Sequence, residues 1–364
     1  MNQSLGDKSS GETNNKDFLP KKVGIVFSEV KREYFPTEVQ YITEKDAEHD
    51  ANIIANYIRK LDIEVAIIPG DENVVETLKK EKPEMVFNLV DSIKGSEYLS
   101  AAIPGVLELL GIPYTGVDIL GSSLGYNKYL VKKLLQTGGV PVPNSQLFIT
   151  PNDPLEASMR FPLISKLNEI HGAVEITRDA VSENEKHLRD RLKFLISTYN
   201  QPVLVEEFIV GKEVVAYVLE GLNRKVYLGE KVFNKPQDKY VFATFEDQWL
   251  THDNEVAKEK LPYRYEKVED NVLKEYVKKA FDLTKMLDYG KFDVRVDSSG
   301  RYFFIDANSN PAFGPLEIET AMSYILNLHG IDFPEILRRL ILNTMRSPVE
   351  DYATNHSAVT QISQ

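Results

Sequence analysis

Three observations on the sequence predict an α/β fold that changes to α+β in the C-terminal part of the chain. Short apolar runs at 23–27, 65–68 and 85–89 have the length and composition of strands buried on both faces. Segments with helical periodicity separate these runs, and strands that alternate with helices build a parallel sheet. From about residue 202 onward strand-like segments dominate, so the alternating pattern ends there.

The first predicted domain is an N-terminal α/β domain that covers residues 21–118. Its helices are expected at 45–61, 74–80 and 99–110, and in the first of them Ala51, Ile54, Ala55 and Ile58 fall on one face. A joint rich in glycine and proline at 111–116 marks the end of this domain.

Two further lobes are predicted, a central one at 119–205 and a C-terminal one at 206–346. The central lobe has expected helices at 128–136 and 185–199 and expected strands at 146–149 and 163–166. In the C-terminal lobe, two strand pairs flank a helix at 270–287. The first pair, 203–208 and 213–219, is joined by a turn at Gly211, and the second, 292–296 and 302–307, by the hairpin turn Asp297-Ser298-Ser299-Gly300.

Composition narrows the class of protein. A chain of 364 residues, 42% hydrophobic and 27% charged, has enough apolar residues for several soluble globular domains. The formal net charge, 43 − 55 = −12, excludes a general nucleic-acid coat, which needs a basic surface. The absence of cysteine excludes a disulfide scaffold, a thiolate zinc site and a cysteine nucleophile.

The termini and the apolar runs indicate where the protein works. No apolar run approaches the roughly 18 residues of a membrane span, so no membrane partner is expected. Residues 1–20 are polar and lack the apolar core of a secretory signal, and they are expected to form a disordered tail. Residues 347–364 form a second polar tail. A cytoplasmic protein is therefore expected.

Familiar nucleotide and hydrolase motifs do not occur in the chain. It contains no G-x-G-x-x-G, no G-x-x-x-x-G-K-[ST], no G-x-S-x-G and no H-E-x-x-H. The six histidines are interpreted as surface or helix-cap residues. A bound nucleotide would have to be held by some other device.

The predicted hairpin after residue 290 carries the most informative polar residues. Asp293 lies in its first strand, and Asp306 and Asn308 end its second strand on the same face. Two carboxylates and an amide oxygen suit Mg²⁺ that holds nucleotide phosphates. Solvated acids on a hairpin are the alternative, but Asp306 follows the apolar run 302–305, and a buried acid needs a partner.

Two lysines and one strand end are further candidates. Lys128 begins a helix and Lys166 ends an apolar strand, where a lysine that extends its charge to solvent is the alternative interpretation. The strand at 203–208 runs into Glu206, Glu207 and Ile209, which could meet an adenine edge. Glu213, beyond the turn, could accept from ribose hydroxyls.

The order of these segments resembles the ATP-grasp superfamily, and within it the D-alanine–D-alanine ligase-like branch. Gly-Val-Pro-Val-Pro follows a lysine-bearing helix. Phe-Pro-Leu-Ile-Ser-Lys, Glu-Glu-Phe-Ile-x-Gly-x-Glu and Asp…Asp-x-Asn-x-x-Pro then come in turn. The segment 104–116 is also close to that branch's junction after its first domain. The resemblance covers roughly residues 22–345.

The resemblance implies a parallel-sheet domain followed by two α+β lobes that enclose ATP, in a homodimer. It also implies a ligase, in which a carboxylate takes the γ-phosphoryl group of ATP and an amine then displaces phosphate to form an amide. Mg²⁺, as one or two ions or with Mn²⁺ in its place, would lie on Asp293, Asp306 and Asn308. ATP would be held by Lys128 and Lys166 at the phosphates, Gly172 in the phosphate loop, Glu206, Glu207 and Ile209 at adenine, and Glu213 at ribose.

The chain departs from this branch in its catalytic and phosphate-loop residues. Lys291 stands where the family has arginine, and Ala312 where it has glycine; both positions stabilise the tetrahedral intermediate. In the phosphate loop at 168–175, Gly172 alone offers comparable backbone freedom. The family's substrate-loop lysine and tyrosine are replaced within 241–245. Asp306 replaces a glutamate and is one methylene shorter, which would weaken a second metal site.

The residues expected to contact the substrates also differ from those of this branch. Glu317 takes the place of a serine that meets the acceptor carboxylate, and like charges repel, so a polyamine, an amino sugar or a basic amino acid fits better. The alternative is that Glu317 caps the following helix. Glu44, Asp46 and Glu48 could bind a substrate ammonium group, or form a solvated acidic helix start.

Together these points predict an ATP-dependent carboxylate–amine ligase with small-molecule substrates other than two D-alanines. A D-alanine–D-alanine ligase of cell-wall synthesis is the first alternative. A nucleotide-binding regulator without catalysis and a kinase that stops at phosphoryl transfer are the others.

Overall fold

The computed structural model describes residues 19–220, 223–234, 239–249 and 262–345. The predicted tails lie outside these ranges, apart from Leu19 and Pro20. The strands are β1 (Lys22–Phe27), β2 (Glu64–Pro69), β3 (Met85–Leu89), β4 (Ser145–Phe148), β5 (Leu163–Leu167), β6 (Val181–Ser182), β7 (Val203–Glu207), β8 (Gly211–Leu219), β9 (Lys225–Phe233), β10 (Tyr263–Val268), β11 (Tyr289–Asp297) and β12 (Tyr302–Asn308).

The helices of the described ranges connect and cover these strands. They are α1 (Glu38–Ile42), α2 (Ala47–Arg59), α3 (Val74–Glu81), α4 (Ala102–Leu110), α5 (Ile119–Gly125), α6 (Lys128–Thr137), α7 (Glu185–Tyr199), α8 (Phe245–Trp249), α9 (Asn271–Leu283), α10 (Ala321–Leu328) and α11 (Phe333–Thr344).

The N-terminal sheet is parallel, with strand order β2-β1-β3. On one face α2 packs through the predicted stripe Ala51, Ile54, Ala55 and Ile58, which is fully buried. On the other face α3 and α4 pack against the same strands. Because both faces are covered, the predicted runs 23–27, 65–68 and 85–89 are apolar apart from Asn88.

The remaining strands form two antiparallel sheets, of order β4-β7-β5-β6 and β10-β9-β8-β11-β12. Helix α7 covers the four-stranded sheet. Helices α6 and α9 cover one face of the five-stranded sheet, and α10 and α11 the other, where they also reach the core of the N-terminal sheet. The predicted change from α/β to α+β is confirmed.

Three details of the predicted elements are wrong. The strands at 203–208 and 213–219 do not pair: β7 lies in the four-stranded sheet and β8 in the five-stranded one, because the chain crosses between the sheets at 208–210. The helix at 99–110 begins as a 3₁₀ segment, Glu97–Ala101, before α4. The helix at 270–287 ends at Leu283, where the Thr284 hydroxyl bonds back to the Ala280 carbonyl. Strands β9 and β10 were not predicted.

Candidate active site

A cleft of about 980 Å³ lies where the three sheets meet. All the predicted site residues except Glu48 line it, and Glu48 is instead exposed in the first turn of α2. The side chains that line the cleft are segregated by charge. Lysines and the β11–β12 hairpin form one end, which we call the phosphate end, and carboxylates around α2 and the loop after β3 form the other, which we call the acidic end.

The hairpin brings the predicted metal ligands together. Asp293 on β11 is directly opposite Asp306 on β12, and Lys291 is opposite Asn308. A register shift after Asp293 places Val294 opposite Phe304, so one residue of β12 is unpaired and the local twist increases. The two carboxylates therefore share one face of the sheet.

The charge at this end is balanced by lysines. Burial raises the pKa of the Asp306 carboxyl, but the nearby Lys128, His171, Lys166 and Lys291 outweigh burial and lower that pKa to about 2. Lys291 Nζ donates to Asp293 Oδ2 at 2.7 Å, while Asp293 Oδ1 is buried without a hydrogen-bond partner. Asp306 is thus ionised at neutral pH, and one oxygen of Asp293 is left to accept a cation.

The residues present fit a divalent cation of the hard, oxygen-binding type. A buried, unpartnered carboxylate oxygen is costly without a positive partner, and Asp293 Oδ1 is such an atom. The Asn308 side-chain oxygen accepts from the Asn310 N–H at 3.0 Å and keeps a second lone pair. In the described ranges, no three His, Asp or Glu residues cluster closely enough to hold a metal by themselves, so the amide would be needed.

The two predicted phosphate lysines are both oriented by main-chain carbonyls. Lys128 Nζ donates to the Ile170 carbonyl at 2.6 Å, and Lys166 Nζ to the Ile305 carbonyl at 2.9 Å. Lys128 sits at the first position of α6, whose N-terminus is capped by Asn127. The carbonyls hold each ammonium group toward the cleft, where both lysines line the wall.

Glu206 has a different setting from the predicted adenine contact. It is 1% exposed, and its two oxygens lie 2.8 Å from Lys132 Nζ and 2.6 Å from Lys166 Nζ. Burial raises the pKa of Glu206, but these two ammonium groups outweigh burial and lower it. Lys132 also donates to the Phe304 carbonyl at 2.6 Å. Glu206 therefore joins β7 to α6 and β5, reaches β12 through the carbonyl contacts of the two lysines, and neutralises both of them.

Two of the other residues predicted to contact the nucleotide, Glu207 and Glu213, already have partners within the protein. Glu207 accepts from the Arg160 N–H at 2.9 Å, and Ile209 lines the cleft. Glu213 lies 2.7 Å from Lys231 Nζ and 3.0 Å from Arg295 Nη2. Those cations outweigh burial and lower the pKa of Glu213 to about 2. An ionised Glu213 can still accept a further hydrogen bond at the cleft wall.

The loop after β5 folds over the phosphate end. Gly172 adopts φ +70, and a Cβ there would come within 2.9 Å of Thr43 Cγ2, so the loop needs glycine at this point. Trp249 Nε1 donates to the Gly172 carbonyl at 2.8 Å. These contacts attach the loop to the N-terminal region on one side and to α8 on the other.

At the acidic end, Glu44 is buried and accepts from the Ser92 hydroxyl at 2.6 Å. Burial raises its pKa to about 8, with help from Asp91 and Glu97. Asp91, whose side chain faces the cleft, has its pKa raised to about 7 by its enclosed position and by Glu97. Asp50 has its pKa raised to about 6 by burial and by Asp46. The sequence did not single out Asp50, Asp91 or Glu97.

Glu317 lines the cleft beside this end, and Ala312 lines the same cleft; both residues are exposed. The helix that follows Glu317 is capped by Thr320, whose hydroxyl accepts from the Ser323 N–H at 3.1 Å. The capping alternative for Glu317 is therefore wrong. Its carboxylate instead lies near the Tyr57 hydroxyl, whose pKa is raised by burial and then by Glu317.

Several site residues were missed by sequence reasoning. Lys132 carried a usable signal, since it follows Lys128 by four positions on the same face of α6. Lys231, Arg295 and the Glu97–His171 pair carried none, because each finds its partner through packing of separate elements.

Known proteins resemble the chain over most of its length. It is 28% identical over 272 residues to the uncharacterised protein y4sG of Sinorhizobium fredii, covering 72% of this chain and 77% of that protein. It is 26% identical over 285 residues to D-alanine–D-alanine ligase B of Pseudomonas putida, covering 77% and 82%. The solved structure of the Bacillus anthracis D-alanine–D-alanine ligase complexed with ATP matches with a TM-score of 0.67 at 18% identity, covering 91% of this chain and 99% of that one.

Within the described ranges, no helix is both long and apolar enough to span a bilayer.

The family model described as the D-ala D-ala ligase C-terminus matches residues 134–342, which is more than half of the chain. The likeness to solved structures confirms the ATP-grasp fold. The chain belongs to the D-alanine–D-alanine ligase family, and it is an ATP-dependent enzyme of the class that forms carbon–nitrogen bonds.

Proposed function

We propose that the protein joins a carboxylic acid to an amine that carries a second positive charge, using ATP and Mg²⁺ and passing through an acyl phosphate. One observation carries the proposal: a single cleft holds a lysine-rich phosphate end and an acidic end. The first suits a polyphosphate with its metal, and the second suits a cationic substrate.

At the phosphate end, phosphoryl transfer needs positioning and charge neutralisation more than covalent chemistry. Lys128 and Lys166 would contact the phosphates, and Asp293, Asp306 and Asn308 would hold Mg²⁺, which neutralises developing charge when bound. Gly172 supplies the loop over the phosphates. Because Glu206 is already held by two lysines, we propose that Glu207, Ile209 and Glu213 carry most of the contact with the nucleoside.

In the second step the amine attacks the acyl phosphate carbonyl. Lys291 and the N–H of Ala312 line the cleft near the hairpin and would stabilise the negative charge on the tetrahedral intermediate. Lysine gives a point charge where a planar guanidinium would give two parallel bonds, so this stabilisation depends on how Lys291 is placed.

The acidic end supports a cationic amine over a neutral amino acid. Glu44, Asp46, Asp50, Asp91 and Glu317 line it, against Lys45 and His49. A bound ammonium group would relieve the repulsion that helps to raise the pKa values of Glu44 and Asp91. A polyamine or a basic amino acid meets this requirement, and so does an amino sugar that carries a second amino group. We place the reaction in the cytoplasm, in a homodimer.

D-alanine–D-alanine ligation is the second candidate, since the curated relative from Pseudomonas putida bears that name. The exposed Glu317 beside the cleft opposes it, because the acceptor in that reaction brings a carboxylate. A regulator without catalysis is disfavoured by the paired Asp293 and Asp306, which a chain that only binds nucleotide has no need to keep.

The test is Mg²⁺- and ATP-dependent release of ADP and phosphate, with paired panels of acids and amines and mass spectrometry of new amides. The panels contain D- and L-amino acids, dipeptides, polyamines and amino sugars. Amide formation with an amine that carries a second positive charge supports the proposal. Turnover with D-alanine alone would establish the second candidate, and ATP binding without turnover on any pair would favour a regulator.

A further inference from the structure

The ring of His171 is fixed by Glu97, a residue 74 positions away in the chain. The backbone N–H of His171 donates to Glu97 Oε1 at 2.8 Å, and His171 Nδ1 lies 2.7 Å from Glu97 Oε2. Both side chains are mostly buried, 13% exposed for His171 and 8% for Glu97. The Tyr126 ring packs against the imidazole in a T-shaped arrangement, with centroids 5.7 Å apart. The imidazole therefore has one defined orientation.

This pairing determines which nitrogen carries the proton. A carboxylate only accepts hydrogen bonds, so Nδ1 must be the N–H, and Nε2 of the neutral ring presents a lone pair. Nε2 is buried and has no hydrogen-bond partner among the described residues. His171 lines the cleft. The structure thus leaves the proton-accepting nitrogen of a cleft-lining residue without a partner among the described residues.

His171 lies between the two ends of the cleft. On one side, the carbonyl of the preceding Ile170 accepts from Lys128, one of the two lysines proposed to contact the phosphates. On the other side, Glu97 is close enough to raise the pKa values of Glu44 and Asp91. An acyl phosphate formed at the phosphate end and an amine held at the acidic end would meet at this residue.

We propose that His171 is the general base of amide formation and Glu97 its positioning residue; this rests on the proposed ligase activity. A substrate amine arrives as an ammonium ion and cannot attack until it loses a proton. His171 Nε2 takes that proton. The nitrogen lone pair forms the C–N bond at the acyl carbon, the bond from that carbon to the phosphate oxygen breaks, and phosphate leaves with the electron pair. The second amine proton passes to solvent.

The test compares two nucleophiles on the same acyl phosphate. Hydroxylamine is largely unprotonated at neutral pH and needs no base, whereas the alkyl amine that the panel identifies does. His171→Asn retains an amide N–H for Glu97 but has no group at the Nε2 position. We expect this variant to lose amide formation on the order of 100-fold more than hydroxamate formation, the usual range for a general base.

Two further variants separate other roles. Glu97→Gln, which no longer enforces the Nδ1–H tautomer, should shift the amide-to-hydroxamate ratio in the same direction as His171→Asn. His171→Gln keeps an N–H donor near the Nε2 position without a base, so it should behave like His171→Asn. If Gln instead restores amide formation, His171 acts as a donor to phosphate and the proposal is overturned. If His171→Asn does not fold, His171→Gln replaces it in the comparison of amide and hydroxamate formation.

The remaining outcomes distinguish this inference from the function on which it rests. If His171→Asn loses amide formation and hydroxamate formation equally, the proposed role of His171 is overturned while the ligase proposal stands. If the wild-type protein forms no hydroxamate with ATP and any acid of the panel, the ligase proposal falls and the inference falls with it. Thermal unfolding midpoints of all variants, measured beside the wild type, show whether the loop after β5 has kept its fold.

Discussion

Lys291 Nζ lies 2.7 Å from Asp293 Oδ2, so a lysine already neutralises a carboxylate that would also hold Mg²⁺. A metal ion and this ammonium group repel each other when both sit on one side chain. Lys291→Met should therefore tighten Mn²⁺ binding in the presence of ADP by about tenfold, or roughly 1.4 kcal/mol, while amide formation falls. Electron paramagnetic resonance of free Mn²⁺ measures the first effect, and unchanged or weaker Mn²⁺ binding would contradict it.

Asp306→Asn should reduce ATP turnover by about a thousandfold, the scale of removing one preorganised electrostatic group, because Mg²⁺ would lose a charged ligand. Lys128, Lys166 and Lys291 would lose the acid that offsets them, yet they keep their carbonyl and carboxylate partners. ADP release and circular dichroism are the measurements. Retained turnover in a folded variant would remove Asp306 from the metal site.

Glu206→Gln should lower the free energy of unfolding by about 3–5 kcal/mol, because Lys132 and Lys166 would be left as buried unpaired charges. Urea denaturation measures the change. Glu207→Gln is the matched control on the next residue, since its contact is a single backbone N–H. A small effect of Glu206→Gln, equal to that of the control, would contradict the joining role of Glu206.

Glu44 makes stability depend on pH. Its pKa is raised to about 8 in the folded protein, against 4.5 ordinarily, so between these values the folded state binds more protons than the unfolded state. The contribution of Glu44 to stability therefore decreases as the pH rises through that window and stays low above it. Glu44→Gln should be more stable than the wild type at about pH 9, by about 2 kcal/mol, and show a smaller gain at about pH 5. A gain that does not change with pH would contradict this assignment.

Glu317→Ser should admit small neutral amino acids as acceptors. Replacing a carboxylate by a hydroxyl removes repulsion against an acceptor carboxylate, which is worth at least about tenfold in kcat/KM for glycine or D-alanine. Amide formation with glycine and with the preferred cationic amine, compared in both proteins, measures the change. An unchanged acceptor profile would mean that Glu317 acts through Tyr57 alone.

Much of the fold could be predicted because its signals are local. The stripe Ala51–Ile58 on α2 and the turn Asp297–Gly300 each specify their element through neighbours a few positions away. The hairpin turn in turn places Asp293 near Asp306, so the predicted metal residues follow from one short segment. The bulge after Asp293, which sets their register, has no comparable signal in the sequence.

The sequence by itself determined the order of the elements, the β11–β12 hairpin and the family. Tertiary structure alone decided which charges meet: Glu206 with Lys132 and Lys166, and Glu97 with His171. It also placed β7 and β8 in different sheets. The physical reason is distance along the chain, since an ion pair across 74 residues depends on how three sheets pack and leaves no periodic trace in the sequence.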